Sequence, residues 1–206
     1  MARIADLRTK FNKALPHVKR DGLEDLVKWL ETETDFFSAP ASTRFHGNYQ
    51  GGLLFHSLAV LEFALTNFNW ILKYKPELED LKESIIISAL FHDICKCNLY
   101  VSENKWAKDR NNKWVEYPGY SVDDKLPLPH GSKSVYLLSK FIKLKDNEAL
   151  AITYHMGMSE PNTMIDGLNK YAYNAASERI LVKLIMSADM LAVTLEETID
   201  YKTQVY

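Results

Sequence analysis

The chain has 206 residues, of which 47% are hydrophobic and 25% are charged, and its formal net charge is −2. This composition is typical of a globular protein and excludes disordered and fibrous chains. The near-neutral charge gives no broad electrostatic reason for non-specific binding to nucleic acid or membranes. We expect one domain over residues 1–206, large enough to bury a core without disulfides.

Apolar residues recur at the spacing of α-helices in most of the chain. The pattern is found in six segments: 22–33, 51–74, 78–96, 132–144, 146–156 and 174–198. Gly51 and Gly52 come at the start of the second segment, Pro76 separates the second from the third, and Asp146 is the expected N-cap of the fifth. The sequence therefore predicts an all-α fold, arranged as a helical bundle.

The pattern changes between Tyr100 and Pro129, where aromatic residues alternate with charged ones. This alternation predicts a small, exposed β-hairpin inserted into the bundle at about residues 100–128. Asn111 and Asn112 are able to take the positive φ of a tight turn. We expect the hairpin to form a lobe on the helical domain.

The two cysteines, Cys95 and Cys97, would lie on nearly opposite sides of a helix, so we expect both to be reduced thiols. The first residues contain no basic stretch followed by an apolar one, and no segment has about 18 uninterrupted apolar residues. We expect a cytoplasmic protein without a membrane span.

Four polar residues lie within apolar helical segments and need compensation if they are buried. His56 is surrounded by apolar residues, although a lone histidine there is more often a core residue than a ligand. His92 and Asp93 end the apolar run of the third segment, where either a metal ion or a salt bridge would compensate the carboxylate. Asp189 has apolar neighbours on its helix face, and it would meet a cation or cap another helix.

Two further histidines lie where helical segments begin or end. His130 comes two residues before the fourth segment, and His155 lies at the end of the fifth. Histidines are common on the surface at helix ends, and His155 would also complement the helix dipole there. His17, in a polar stretch near the start, has no predicted function.

Together these residues form a set of imidazoles and carboxylates on separate helical segments, which suits transition metals bound in the core of a bundle. The chain, from about residue 36 to 197, resembles the HD-domain superfamily of metal-dependent phosphohydrolases, whose pattern is a histidine, an adjacent His-Asp pair and a late aspartate. The resemblance implies two divalent ions, drawn from Mn, Fe, Ni, Co, Zn and Mg, with Asp93 bridging them. The implied ligands are His56, His92, Asp93, His130, His155 and Asp189.

The resemblance also implies roles around the metal ligands. Asp93 and Lys96 would be catalytic, and a lysine at the place of Lys96 contacts phosphate in related members; a solvent-facing lysine at a helix end is the alternative. Lys133, Arg44 and His46 would reach the substrate from the rim, with His46 able to protonate the leaving oxygen.

The predicted activity is that of a two-metal phosphodiesterase, in which metal-activated hydroxide attacks phosphorus. The expected substrate is a phosphate-containing small molecule or short nucleic acid: a nucleotide, a cyclic nucleotide or a short oligonucleotide. Removal of phosphate from nucleoside mono- or triphosphates is an alternative. A second alternative is a nucleotide-binding sensor without turnover.

Residues 45–64 also resemble the HD domain of bacterial 3′-to-5′ exoribonucleases, in which a histidine, a glycine pair and a ligand histidine have similar spacing. The chain has no room for the added nucleic-acid-binding domain of those enzymes. Aromatic residues of the hairpin would either stack on a base or pack across its strands, and the sequence favours packing for most of them. These residues are Trp106, Trp114, Tyr117 and Tyr120.

Overall fold

The computed structural model describes residues 2–109, 111–157 and 167–195. Within these residues the chain forms eight α-helices: α1 (Ala2–Ala14), α2 (Leu23–Thr32), α3 (Gly52–Leu72), α4 (Lys82–Phe91), α5 (His130–Leu138), α6 (Asp146–Thr153), α7 (Gly167–Ser177) and α8 (Ile180–Ala192). Short 3-10 helices occupy Leu15–His17, Pro76–Leu81, Ile94–Lys96 and Val193–Leu195. Strands β1 (Tyr100–Lys108) and β2 (Trp114–Val122) form the hairpin. The predicted all-α fold with a hairpin insertion is confirmed.

Helix α3 lies at the centre of the bundle. It packs against α4, α8 and α1, while α6 packs against α4, α5 and α8. Helices α3 and α4 are buried on most sides, and Leu53, Leu54 and Ile85–Ile87 are almost wholly inaccessible to solvent. Polar side chains on or beside these two helices therefore lie deep in the protein and need partners.

The helix bounds differ from the predicted segments in several places. Helix α4 stops at Phe91, so that His92 and Asp93 follow its end and a 3-10 turn comes next. The last predicted segment is divided between α7 and α8. The cap position of α6 is Lys145 rather than Asp146, because the Glu148 carboxylate accepts a hydrogen bond from the Lys145 N–H (2.7 Å).

Helix α1 was not predicted. Its buried residues are Leu7 and Phe11, four positions apart, and they are separated by charged residues that make the stretch look polar. The spacing is nevertheless that of one helix face.

The hairpin strands are antiparallel, with Tyr100 opposite Val122 and Lys108 opposite Trp114. Asn112 takes φ +62° at the turn, as predicted for it. The Asp109 carboxylate accepts hydrogen bonds from the backbone N–H groups of Asn111 and Lys113 (2.8 and 2.9 Å), which closes the turn.

A loop of 38–51 leads into α3 and lies against its first turn. A Cβ at Gly52 would lie 1.9 Å from the carbonyl oxygen of Gly47, so this close approach requires glycine. The loop carries Arg44 and His46 beside the part of α3 that holds His56.

Cys95 and Cys97 are both free thiols, as expected. Among the described residues, the helices are too short or too polar for any of them to traverse a lipid bilayer.

Candidate metal centre

The six predicted metal ligands lie together in the interior of the bundle. They come from different elements: His56 from the second turn of α3, the pair His92 and Asp93 from just after α4, and the others from α5, from just after α6 and from α8. The remaining three are His130, His155 and Asp189. The side chains of His130 and Asp189 are 23% and 18% exposed, and those of the other four are almost wholly buried.

The first group of donor atoms surrounds one point between α3, α4 and α8. His56 Nε2 lies 3.0 Å from His92 Nε2 and 3.0 Å from Asp189 Oδ1. Asp93 Oδ2 lies 3.4 Å from His56 Nε2 and 3.5 Å from His92 Nε2. Ligands bound to one ion at about 2.0–2.2 Å are separated from each other by about 2.8–3.6 Å, so these distances fit a single ion.

The second group uses the other oxygen of Asp93. Asp93 Oδ1 lies 2.7 Å from His130 Nε2 and 3.4 Å from His155 Nε2. Both groups of His and Asp residues could therefore hold metal ions. Because the two oxygens of Asp93 belong to different groups, its carboxylate stands between them.

Backbone carbonyls orient two of the imidazole rings. His92 Nδ1–H donates to the Ala89 carbonyl oxygen (2.9 Å), and His155 Nδ1–H donates to the Ile152 carbonyl oxygen (2.7 Å). In each ring this leaves Nε2 as the nitrogen that faces the cluster. A ligand histidine is usually held in this way, so the donor set fits a metal in both chemistry and orientation.

The Asp93 carboxylate is ionised within the core. Burial opposes its ionisation, but the charges of Lys96, His92 and His130 outweigh this effect and hold the pKa of Asp93 well below its usual range. Lys96 Nζ lies 2.6 Å from Asp93 Oδ2, and the neighbouring carboxylate raises the pKa of Lys96 despite burial. The expected placement of Lys96 on the side of Asp93 holds, although the turn between them is 3-10 rather than α-helical.

The other titratable groups of the cluster respond to the same charges. Burial opposes ionisation of Asp189, but its hydrogen bond with His56 and the charges of His155 and His92 lower its pKa. Burial lowers the pKa of His92. At His155 burial acts in the same direction, but the hydrogen bond with Asp93 and the negative charge of Asp93 outweigh it and raise the pKa. The cluster therefore concentrates negative charge on two carboxylates, which favours a cation between them.

The predicted substrate-binding residues lie at different depths. The ring centroid of His46 is 5.3 Å from that of His56, and Arg44 is exposed with its guanidinium over the Phe45 ring. Lys133 is buried and its ammonium pairs with Asp124, in the segment that follows the hairpin. The roles of these residues remain predictions.

Cys95 contacts the site, which the sequence did not predict. Its Sγ lies 3.2 Å from His130 Nδ1, and Ser134 Oγ accepts a hydrogen bond from its backbone N–H. Burial raises the pKa of Cys95 to about 12, so it is a thiol at neutral pH. A thiol is a weak donor and a weak acceptor of hydrogen bonds. The partner of Nδ1 is therefore a sulfur atom at His130, whereas it is a carbonyl oxygen at His92 and at His155.

No protein-family model matches the chain, and no solved structure matches it. The chain is similar to the dihydroneopterin 2′,3′-cyclic phosphate phosphodiesterase of Methanocaldococcus jannaschii, with 35% identity over 72 residues. The matched segment covers 35% of this chain and 28% of that protein, so the similarity concerns less than a third of the relative's length.

Proposed function

We propose that the chain is a metal-dependent phosphohydrolase of the HD type that cleaves phosphodiesters with two divalent ions. The observation that carries this proposal is that the two oxygens of the Asp93 carboxylate face different groups of histidines. Its Oδ2 faces His56 and His92, and its Oδ1 faces His130 and His155. A carboxylate whose two oxygens face separate groups of imidazoles is suited to contact both ions of a neighbouring pair.

One ion would be held by His56, His92, Asp93 and Asp189, and the other by Asp93, His130 and His155. Bound divalent ions supply charge stabilisation at phosphoryl oxygens and lower the pKa of a bound water. The surrounding apolar core excludes bulk water from the inner side of the cluster, which strengthens electrostatic interactions there.

Residues of the chain itself would position the phosphate. The Lys96 ammonium lies beside the Asp93 carboxylate. A phosphate bound next to Asp93 would therefore be within reach of the charged lysine. His46 lies beside His56, on the side of the first group, and Arg44 lies two residues earlier on the same loop. From there the guanidinium would bind phosphate and His46 would protonate the leaving oxygen.

The preference for diesters is supported by the similarity to a protein named as a cyclic phosphate phosphodiesterase. The name of that protein specifies a 2′,3′-cyclic phosphate, which is a phosphodiester. We propose the same reaction class for this chain, with a nucleotide, a cyclic nucleotide or a short oligonucleotide as the substrate.

The test combines metal content with hydrolysis of two artificial esters. The purified chain is expected to contain up to two ions and to hydrolyse bis-p-nitrophenyl phosphate in preference to p-nitrophenyl phosphate. Asp93→Asn keeps the shape of the side chain but removes its charge, so we expect loss of both ions and of hydrolysis. Asp123→Asn is the control, because Asp123 is exposed and pairs with Lys125.

Other outcomes favour other activities. Hydrolysis of the monoester alone would favour the nucleotidase alternative. Bound metal without hydrolysis of any phosphate ester would favour the nucleotide-binding sensor. Retention of metal or activity in Asp93→Asn would contradict the assignment of Asp93.

A further inference from the structure

The strand register places most of the hairpin's aromatic residues on one face. Residues directly opposite each other share a face, and alternate residues along each strand share it too. Tyr100 and Trp106 of β1 and Trp114 and Tyr120 of β2 therefore lie on the same side, which we call the aromatic face. Tyr117, opposite Lys105, is the one aromatic strand residue on the other side.

Aromatic pairing within the hairpin does not account for the tryptophans. Trp106 lies opposite Glu116 and Trp114 lies opposite Lys108, so neither faces another aromatic residue directly. The two tryptophans are 60% and 64% exposed, and in the described part of the chain neither has an aromatic ring contact. Two large apolar rings exposed side by side are a feature of binding surfaces.

The aromatic face begins at the candidate metal centre. Tyr100 follows Lys96 by four residues and is partly buried. Tyr100 is the first residue of β1, so this end of the hairpin adjoins the 3-10 turn Ile94–Lys96, whose lysine pairs with Asp93. Tyr120 comes next, opposite Ser102, and the tryptophans lie farther along the hairpin.

The length of this face indicates the size of its ligand. Trp106 is six residues from Tyr100, which is about 20 Å along a strand. One base joined to one sugar and one phosphate is too short to reach from the metal centre to the tryptophans. A chain of several nucleotides is long enough, and the Lys108 ammonium, 5.6 Å from the centroid of a Trp114 ring, is placed to meet its phosphates.

We propose that the aromatic face binds the bases of a single-stranded oligonucleotide whose phosphodiester lies at the metal centre. This inference rests on the proposed function and gives it a substrate class. Tyr100 and Tyr120 stack on the bases nearest the scissile bond, and Trp106 and Trp114 stack on bases farther along the strand. Every base can stack on an aromatic ring, so binding to this face depends little on the nucleotide sequence. The face instead favours ligands that are single-stranded and several nucleotides long.

Binding is tested separately from hydrolysis. A fluorescein-labelled hexanucleotide is titrated with the purified full chain, with and without EDTA, and fluorescence anisotropy is measured. The double variant Trp106→Ala/Trp114→Ala is expected to bind it at least about tenfold more weakly. Tyr117→Ala is the matched control on the opposite face and is expected to bind as the unchanged chain does.

Hydrolysis distinguishes a failure of this inference from a failure of the proposed function. Bis-p-nitrophenyl phosphate is too small to reach the tryptophans, so the double variant is expected to hydrolyse it at the unchanged rate. For unlabelled oligonucleotides, the advantage in kcat/KM of a hexanucleotide over a dinucleotide is expected to disappear in the double variant.

Three results would overturn the inference: unchanged hexanucleotide affinity in the double variant, equal weakening in Tyr117→Ala, or binding of a dinucleotide as tight as that of the hexanucleotide. The last result would indicate a substrate with a single flat ring. If the hexanucleotide binds as expected but no diester is hydrolysed, the proposed function fails and the binding surface stands.

Discussion

His92 and His155 are oriented by the same kind of local hydrogen bond. Each donates its Nδ1–H to the carbonyl oxygen three residues earlier, at the end of its own helix. A histidine just after a helix thus uses one of the helix's unpaired terminal carbonyls and turns Nε2 inward. The sequence predicted both residues near helix ends, with a surface position as the alternative for His155.

Four candidate ligands stand out in the sequence because each is a polar group among apolar neighbours: His56, His92, Asp93 and Asp189. His130 and His155 lie at helix ends and were implied as ligands by the family resemblance. The contact between Cys95 and His130 could not be predicted in this way. The two residues are 35 positions apart and meet only through the packing of α5 beside the turn after α4. Near the His-Asp pair, cysteine looks like an ordinary small core residue.

We expect the variant His130→Ala/His155→Ala to lose about one ion per chain, because these residues serve only the Asp93 Oδ1 side of the cluster. The measurement is metal content after dialysis. His17→Ala is the control, since His17 lies in a 3-10 turn near the start of the chain. Unchanged metal content in the double variant would return both histidines to a structural role.

Cys95→Ala removes the sulfur beside His130 Nδ1 and leaves the ring free to turn. We expect the ion on the Oδ1 side of Asp93 to bind about tenfold more weakly, because partners of ligand histidines affect metal affinity to this degree. Competition with a metal indicator would measure the change. Cys97→Ala is the control, and equal effects in the two variants would contradict a specific role for Cys95.

At the scale of elements, the glycine after His130 sets the distance between α5 and α6. A Cβ at Gly131 would lie 2.3 Å from the Thr153 carbonyl oxygen and 2.7 Å from that of Ile152. The Ile152 carbonyl also orients His155, so this one contact affects both histidines of the second group.

We therefore expect Gly131→Ala to separate α5 from α6 and to lower both metal affinity and stability. A cost of about 1–3 kcal/mol in the free energy of unfolding is typical of overpacking, and urea denaturation would measure it. In the control Gly119→Ala, the added Cβ meets only the flexible side chain of Lys105. Full occupancy of both ions in Gly131→Ala would show that the close approach is not required.

The elements themselves were predictable where apolar periodicity was long. The sequence predicted α2, α3, α5, α6 and the hairpin, because their apolar residues form regular patterns. It missed α1, whose apolar stripe is narrow, and it did not show that α4 ends before His92. Just past that end, Asp93 contacts His130 of α5, a residue 37 positions away that periodicity does not reveal.

At the scale of the whole molecule, a buried ion pair joins distant parts of the bundle. Glu148 of α6 has no exposed surface and accepts hydrogen bonds from Arg20 (2.8 Å) and Ser84 Oγ (2.7 Å). Arg20 also pairs with Glu83 of α4 (3.1 Å). The segment before α2 is thereby fixed to both helices that end at the metal centre.

Arg20→Met would leave the Glu148 carboxylate buried without its cation, so we expect a loss of about 3–5 kcal/mol in the free energy of unfolding. Thermal and urea denaturation would measure it. Arg8→Met is the matched control, because the pair of Arg8 with Glu31 is about 40% exposed and is expected to contribute less than about 1 kcal/mol. Equal effects of the two substitutions would contradict the importance of the buried pair.

The ion pair of Lys96 with Asp93 has a consequence for the order of assembly. Lys96 already neutralises the carboxylate that stands between the two donor groups, and the rings around it are fixed by backbone carbonyls and packing. We therefore expect the polypeptide to reach its native form without a bound cation, in contrast to small domains that are unfolded without zinc. We expect the chain to fold first and the folded protein to bind and exchange ions afterwards at a preformed site.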